Sequence, residues 1–314
     1  MNVIITNIVA VFLIMGVGFV ANRIGLLPEK ANDYLSPLLI KITTPCLVLA
    51  TISSKEIEEG MAGVVLMDMA CCAMYFVVFC FLGWLLCAKI MKIPPERDPG
   101  VYIMLFASIN NGFIGLPITY AIFGEEKLFY MVFFQMILMV YIYGPGTFQM
   151  HYGEKGSGHG LSALKSVLGP GTIAAILGII LLFTGTHLPE VLFKAIESIG
   201  SATTPISMIL IGVQLGSSNF KKIVKNKELM IESTLKMIFT PVITFLMVNW
   251  LPIPNALKLV LIFGSSFPSA VATAPIAATE GKDSRLAAEG VALTTLMSLV
   301  TIPLTAYVVG LLYL

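Results

Sequence analysis

The sequence predicts an all-α integral membrane protein: ten transmembrane helices in two inverted five-helix repeats, with the fourth and ninth spans broken. Three observations predict it. Hydrophobic residues make up 57% of the 314 and charged ones 12%, about half the charge of a soluble domain, and the mean hydropathy is +0.91. The apolar residues gather into ten runs separated by short connections. Two of those runs carry Asn, Ser, Gly and Pro at their middles, where lipid hydrocarbon offers the backbone no partner.

The runs lie at about 3–22, 34–53, 61–90, 101–123, 127–150, 165–184, 191–216, 229–251, 256–279 and 287–313. Each is close to the 20 or so residues that cross a bilayer, and the third is long enough to tilt or protrude. No Lys or Arg precedes Arg23, so the first run lacks a signal peptide's charged start and is expected to be retained. The longest polar connection, His151 to Leu164, contains Gly153, Gly156, Gly158 and Gly160 and divides five runs from five. The predicted organisation is therefore a first repeat at 1–150, a loop at 151–164 and a second repeat at 165–314.

The halves resemble each other. Leu27-Pro28-Glu29 leads into Thr43-Thr44-Pro45, and Leu188-Pro189-Glu190 leads into Thr203-Thr204-Pro205. Pro117 and Pro275 stand 158 residues apart, as do Pro145 and Pro303, while Gly124 and Gly281 stand 157 apart. Five spans are an odd number, so the second repeat must enter the membrane with opposite polarity. Of the nineteen basic residues, thirteen fall on alternate connections starting after the first run: Arg23, Lys30, Lys89, Lys92, Arg97, Lys155, Lys165, Lys221, Lys222, Lys225, Lys227, Lys282 and Arg285. Four (Lys55, Lys127, Lys194 and Lys258) fall on the others. This bias predicts a cell (inner) membrane protein with the glycine-rich loop in the cytoplasm and both termini on the other side.

The fourth run is broken by Ser108-Ile109-Asn110-Asn111-Gly112-Phe113-Ile114-Gly115-Leu116-Pro117. Glycine weakens a helix, Pro117 lacks an N–H, and each unpaired amide in hydrocarbon costs roughly 2–7 kcal/mol. The ninth is broken by Gly264-Ser265-Ser266-Phe267-Pro268-Ser269-Ala270-Val271-Ala272-Thr273-Ala274-Pro275. Interrupted spans at matching places in two halves point to the binding site of a transporter. After each break a new helix starts, its N–H groups and positive dipole end near the midplane, which suits a small organic anion. Candidate substrate contacts are Asn110, Asn111, Gly112, Ser265, Ser266, Ser269 and Thr273, with Gln135 as a lone amide in the fifth run. The same small polar residues also serve simply to cap broken helices, and Gly112 to let helices cross closely.

Three ionisable residues fall inside spans: Asp68, Lys41 and Lys236. Asp68 with Lys41 or Lys236 is the expected coupling or supporting ion pair, and Asp68 is also a candidate proton carrier. Lys236 reads equally as a static pair or a lysine snorkelling to an interface. Glu232 is read as solvated near a cytoplasmic end. A cation site is expected to show carboxylates at the breaks, which have none. Cys46, Cys71, Cys72, Cys80 and Cys87 all sit in apolar runs as small hydrophobes, and His151, His159 and His187 lack ligand spacing, so neither metal nor cofactor is expected. His-Glu-x-x-His, Gly-x-Ser-x-Gly and Walker-type motifs are missing, as is a basic, aromatic-interleaved patch, which argues against an enzyme and against nucleic acid.

The run Asn110 to Ile118, the Ser265 to Pro275 stretch and the five-plus-five plan resemble the auxin efflux carrier family, which holds plant auxin exporters and bacterial carriers of malonate and other dicarboxylates. The resemblance covers essentially the whole chain. It implies the fold of bile-acid symporters and sodium/proton antiporters, with spans four and nine crossing as broken helices. A transport domain (61–150, 229–313) would work against a scaffold (3–53, 165–216) that makes a homodimer. The Asn110-Asn111 pair matches the position that holds the substrate carboxylate, and Asp68, Gln135 and Lys41 match supporting polar positions. Plant auxin carriers have Asn-Pro where this chain has Asn-Asn-Gly, and a long loop where it has about fourteen residues, so auxin and loop phosphorylation are not carried over. The expected activity is alternating-access transport of a small mono- or dicarboxylate, with sodium or proton coupling left open. The alternatives are a sodium- or proton-coupled cation antiporter or symporter using Asp68, and a membrane anion sensor that transports nothing.

Overall fold

The computed structural model describes residues 2–55, 60–152, 168–218 and 223–314, with side chains from residue 5 onward. The central connection lies outside the described residues from residue 153, as do Lys155, Lys165, Lys221 and Lys222 of the charge argument. The described secondary structure is helical throughout. We label the helices α1 (Asn2–Arg23), α2 (Glu29–Ser53), α3 (Met61–Ile90), α4 (Pro99–Ala107), α5 (Leu116–Tyr141), α6 (Pro170–Thr184), α7 (Glu190–Ser217), α8 (Lys227–Asn249), α9 (Asn255–Ser265), α10 (Thr273–Thr279) and α11 (Ser284–Tyr313). Seven runs among the described residues are long and apolar enough to cross a membrane, and α6 and α9 are shorter apolar helices.

One of the seven, Pro99–Met150, is 52 residues long. It departs from helical geometry at Gly124, where φ is 76° and ψ is −172°, a conformation essentially reserved for glycine. Prolines leave local marks as well. Pro45 follows a wide π-helical turn at Leu39–Thr43, and Pro145 lies inside another at Ile142–Gly146. A proline has no N–H and its ring crowds the carbonyl one turn back, so the helix widens there. The similar turn at Leu85–Ile90 contains no proline. Asn226 and Asp283 cap α8 and α11 by accepting from the Leu229 and Leu286 N–H groups.

The chain divides into two compact units. The first comprises Met1–Met69, Gly112–Met136 and Leu168–Ser217. Here α1 packs backbone to backbone on α7: a Cβ on Gly18 would lie 2.2 Å from the Ile209 carbonyl oxygen, and one on Gly212 would lie 2.1 Å from that of Met15. In the same unit α2 packs on α6 and α7, with Gly178 against Ile52 and Gly200 against Leu47. Small residues at such seams maximise dispersion contact where lipid supplies no hydrophobic drive. Exchanging the two halves turns the α1–α7 pairing into the α6–α2 pairing. Four of the five positive-φ glycines among the described residues pair the same way, Gly25 (78°) with Gly185 (65°) and Gly124 (76°) with Gly281 (69°), while Gly60 (84°) has no such counterpart.

The second unit comprises Ala70–Asn111, Ile137–Val167 and Ser218–Leu314. Every residue of α4 is buried. Gly290 of α11 meets Leu105 and Leu229, Gly100 meets the backbone of Gln149 and Met150, and Phe76 stacks on Tyr141 at 4.8 Å. At one end of this unit the connections after α3, after the Thr147–Met150 helix and after α10, with the first turn of α8, meet through charged and polar side chains. Arg97 pairs with Glu228 (2.5 Å), His151 Nε2 with Glu280 (3.0 Å) and Lys282 with Asp98 (3.7 Å), while Asp98 accepts the Asp283 N–H (2.8 Å). These are connections that the charge bias assigns to one membrane face.

Candidate functional site

Both expected interruptions are present. Helix α4 ends at Ala107, Ser108 is extended (φ −75°, ψ 152°), and a wide turn at Asn111–Gly115 precedes α5. Helix α9 ends at Ser265 and α10 starts at Thr273, with residues 266–272 between them outside any helix. Within the second unit the two breaks touch. The Asn110 N–H donates to the Pro268 carbonyl at 2.6 Å. The Ala270 N–H donates to Ser108 Oγ at 3.2 Å, and Ser108 Oγ lies 3.4 Å from Thr273 Oγ1. The Ser269 N–H donates to Thr294 Oγ1 of α11 at 3.1 Å. Backbone groups that unwinding frees in an apolar setting must find partners, and here each break supplies them to the other.

This arrangement spends donors that an anion would use. The Ser265 and Ser266 hydroxyls donate to carbonyls of their own helix, Ile262 and Phe263, both at 2.6 Å. Ser269 Oγ donates to the Leu105 carbonyl at 2.7 Å. Helix α10 has seven residues, about two turns, and so carries little of a full helix dipole. Asn110 (3% exposed) and Asn111 (fully buried), next to this meeting in the sequence, carry carboxamides with N–H donors.

The largest difference from the sequence reading is at α8. Lys236 neither snorkels nor sits at an interface. Its side chain is fully buried, and Nζ donates to the Leu105 carbonyl (2.6 Å), to the Ser108 carbonyl and to Ser269 Oγ (3.1 Å). Those two carbonyls are left over where α4 stops, and three acceptors match the three protons of an ammonium. Glu232, expected to be solvated, is fully buried one turn before Lys236, with Oε2 accepting from Ser233 Oγ at 3.0 Å. Its distance from the end of the run misled, because depth here follows the packing of the helix rather than position along it. The four-residue spacing of Glu232 and Lys236 places both on one face and is a signal the sequence contains. The sequence reading also left out Ser108 and Thr294, whose hydroxyls tie the breaks together.

The remaining candidates belong to the first unit. Asp68 is fully buried on α3. Lys41 is exposed, in the wide turn of α2. Gln135 Oε1 is buried and accepts no hydrogen bond from the described residues. A Cβ on Gly112 would meet only the Gln135 side chain, at 3.7 Å and beyond, so no tight helix crossing demands glycine there.

The chain is 29% identical over 310 residues to an uncharacterized transporter of Methanocaldococcus jannaschii, covering 96% of this chain and 97% of that one. It is 24% identical over 306 residues to an uncharacterized transporter of Methanothermobacter thermautotrophicus, with 96% and 97% covered. A family model described as membrane transport protein matches twice, over residues 3–163 and 159–306, once for each half. The chain therefore belongs to the membrane transport protein family, the auxin efflux carriers that its fourth-run motif resembles.

Proposed function

We propose that this chain is a secondary transporter of a small organic anion, a malonate-like mono- or dicarboxylate, working by alternating access. The observation that carries the reading is the meeting of two broken apolar helices at Asn110 and Pro268, with two buried carboxamides and a buried ammonium beside it. The anion's carboxylate sits against Asn110 and Asn111. Ser265, Ser266, Ser269 and Thr273 fix the broken ends, and the Lys236 charge favours a negative guest through space, its three protons being engaged. Gln135, with a buried acceptor lacking a partner among the described residues, is a proposed polar contact on the substrate's path.

Counting Pro99–Met150 as two spans divided at Gly124, and α6 and the α9–α10 run as one each, gives ten, five to a half. The paired glycines and exchanged helix contacts support two repeats, of opposite polarity because five is odd. With the charged connections in the cytoplasm, both termini face outward from the inner membrane. We also propose that 3–53 and 165–216 are a scaffold through which two copies associate.

The test is counterflow uptake of radiolabelled mono- and dicarboxylates by proteoliposomes holding the purified chain. Saturable uptake that Asn111→Ala weakens supports the reading, and ligand binding without uptake would instead favour a sensor. A cation/proton antiporter is the second reading, favoured by the complete burial of Asp68. Gradient-driven proton flux lost in Asp68→Asn, with no carboxylate uptake by the wild type, would establish it.

A further inference from the structure

Lys236 sits at a helix break, the kind of place where carriers coordinate an ion. Where a membrane helix stops short, its last carbonyls and the unwound backbone next to it form a ready coordination shell for sodium. In this chain that shell is the Leu105 carbonyl, the Ser108 carbonyl and the Ser269 hydroxyl, all turned on one ammonium. The hydroxyl is held in place by its own bond to Leu105 and the segment by the Ser269 N–H to Thr294. The lysine reaches the shell from a different helix, and its fully buried four-carbon stem fills the space beside these oxygens that a free ion and its water would need.

We propose that Lys236 is a tethered substitute for a coupling sodium ion: the wild-type carrier binds no sodium at its helix breaks, and shortening this one side chain uncovers a monovalent-cation site. The charge stays the same, but it can no longer dissociate, so the breaks remain closed around it at every stage of a transport cycle. Glu232, one turn away and fully buried, balances the fixed charge in the same helix. The inference does not depend on which solute is carried, because its readout is sodium binding.

The experiment is thermal unfolding of the full-length protein in detergent, titrated with NaCl and, for ionic strength, with choline chloride. Wild type is expected to respond identically to both salts. Lys236→Ala is expected to unfold earlier and to regain a saturable, sodium-specific rise of about 2–4 °C at concentrations ten or more times the dissociation constant. Lys236→Met, whose side chain still fills the space, is expected to show no sodium-specific rise. The double variant Glu232→Gln/Lys236→Ala removes the charges in pairs, which protects folding, and is expected to keep the sodium response. A sodium-specific shift in the wild type overturns the proposal. So does its absence from the double variant, which would place any ion seen in the single variant on the Glu232 carboxylate.

Discussion

Removing one oxygen at Ser108 should separate a structural serine from a capping one. In Ser108→Ala the Ala270 N–H loses its acceptor at 3.2 Å and Thr273 loses a hydroxyl neighbour at 3.4 Å, in a place with no solvent exposure. An orphaned buried donor costs about 1–3 kcal/mol. The bond from Lys236 is untouched, because it goes to the Ser108 carbonyl and not to the side chain. Ser266→Ala is the matched control, equally buried and chemically the same change. Its hydroxyl donates to the Phe263 carbonyl, which keeps the Ser266 N–H at 3.0 Å after the substitution, so the loss is about 0.5–1.5 kcal/mol. Unfolding in mixed micelles of rising SDS fraction, followed by circular dichroism, should therefore rank wild type, Ser266→Ala and Ser108→Ala in falling stability. The last two should differ by about 1 kcal/mol. Equal midpoints for the two variants would refute the idea that Ser108 holds the breaks together.

Other outcomes follow from the same contacts. Asn110→Ala or Asn111→Ala should weaken carboxylate binding, measured by isothermal calorimetry, while leaving the circular dichroism spectrum of wild type; unchanged affinity in both would remove the carboxamides as ligands. Gly212→Ala places a Cβ 2.1 Å from a backbone oxygen and should cost about 3 kcal/mol, whereas Gly16→Ala, with nothing within 4 Å, should be neutral or slightly stabilising in the same unfolding assay. Glu232→Gln should destabilise by about 3 kcal/mol because it leaves Lys236 without a compensating charge, and Glu232→Gln/Lys236→Met should recover much of that loss. A double variant as unstable as the sum of its parts would mean that the two charges do not interact.

The breaks were legible because helix-weakening residues in the middle of apolar runs have few physical interpretations. Pro117, Pro268 and the Asn110-Asn111 pair marked them to within a few residues, and the offsets of Gly124 and Pro275 marked the repeat. The roles of the polar groups were less legible. A serine in sequence does not reveal whether its proton goes to a guest or, as at Ser265 and Ser266, to the preceding turn. The ammonium's shell was hidden for a deeper reason. Two of its three members are main-chain carbonyls, which every residue has, and only the place where α4 stops distinguishes those of Leu105 and Ser108. The oxygen atoms around the cation are therefore main-chain carbonyls and a hydroxyl rather than carboxylates.

Gly124 kinks the chain within a single residue, with helix on both sides. Such a joint has no slack: there is no loop to pay out when one arm tilts, and its positive φ of 76° disfavours any side chain there, although nothing lies within 4 Å of a Cβ. Displacement of the residues before it must be handed directly to those after it, as through a stiff elbow. An insertion of two or three flexible residues at this point should leave each arm folded and yet uncouple their movements.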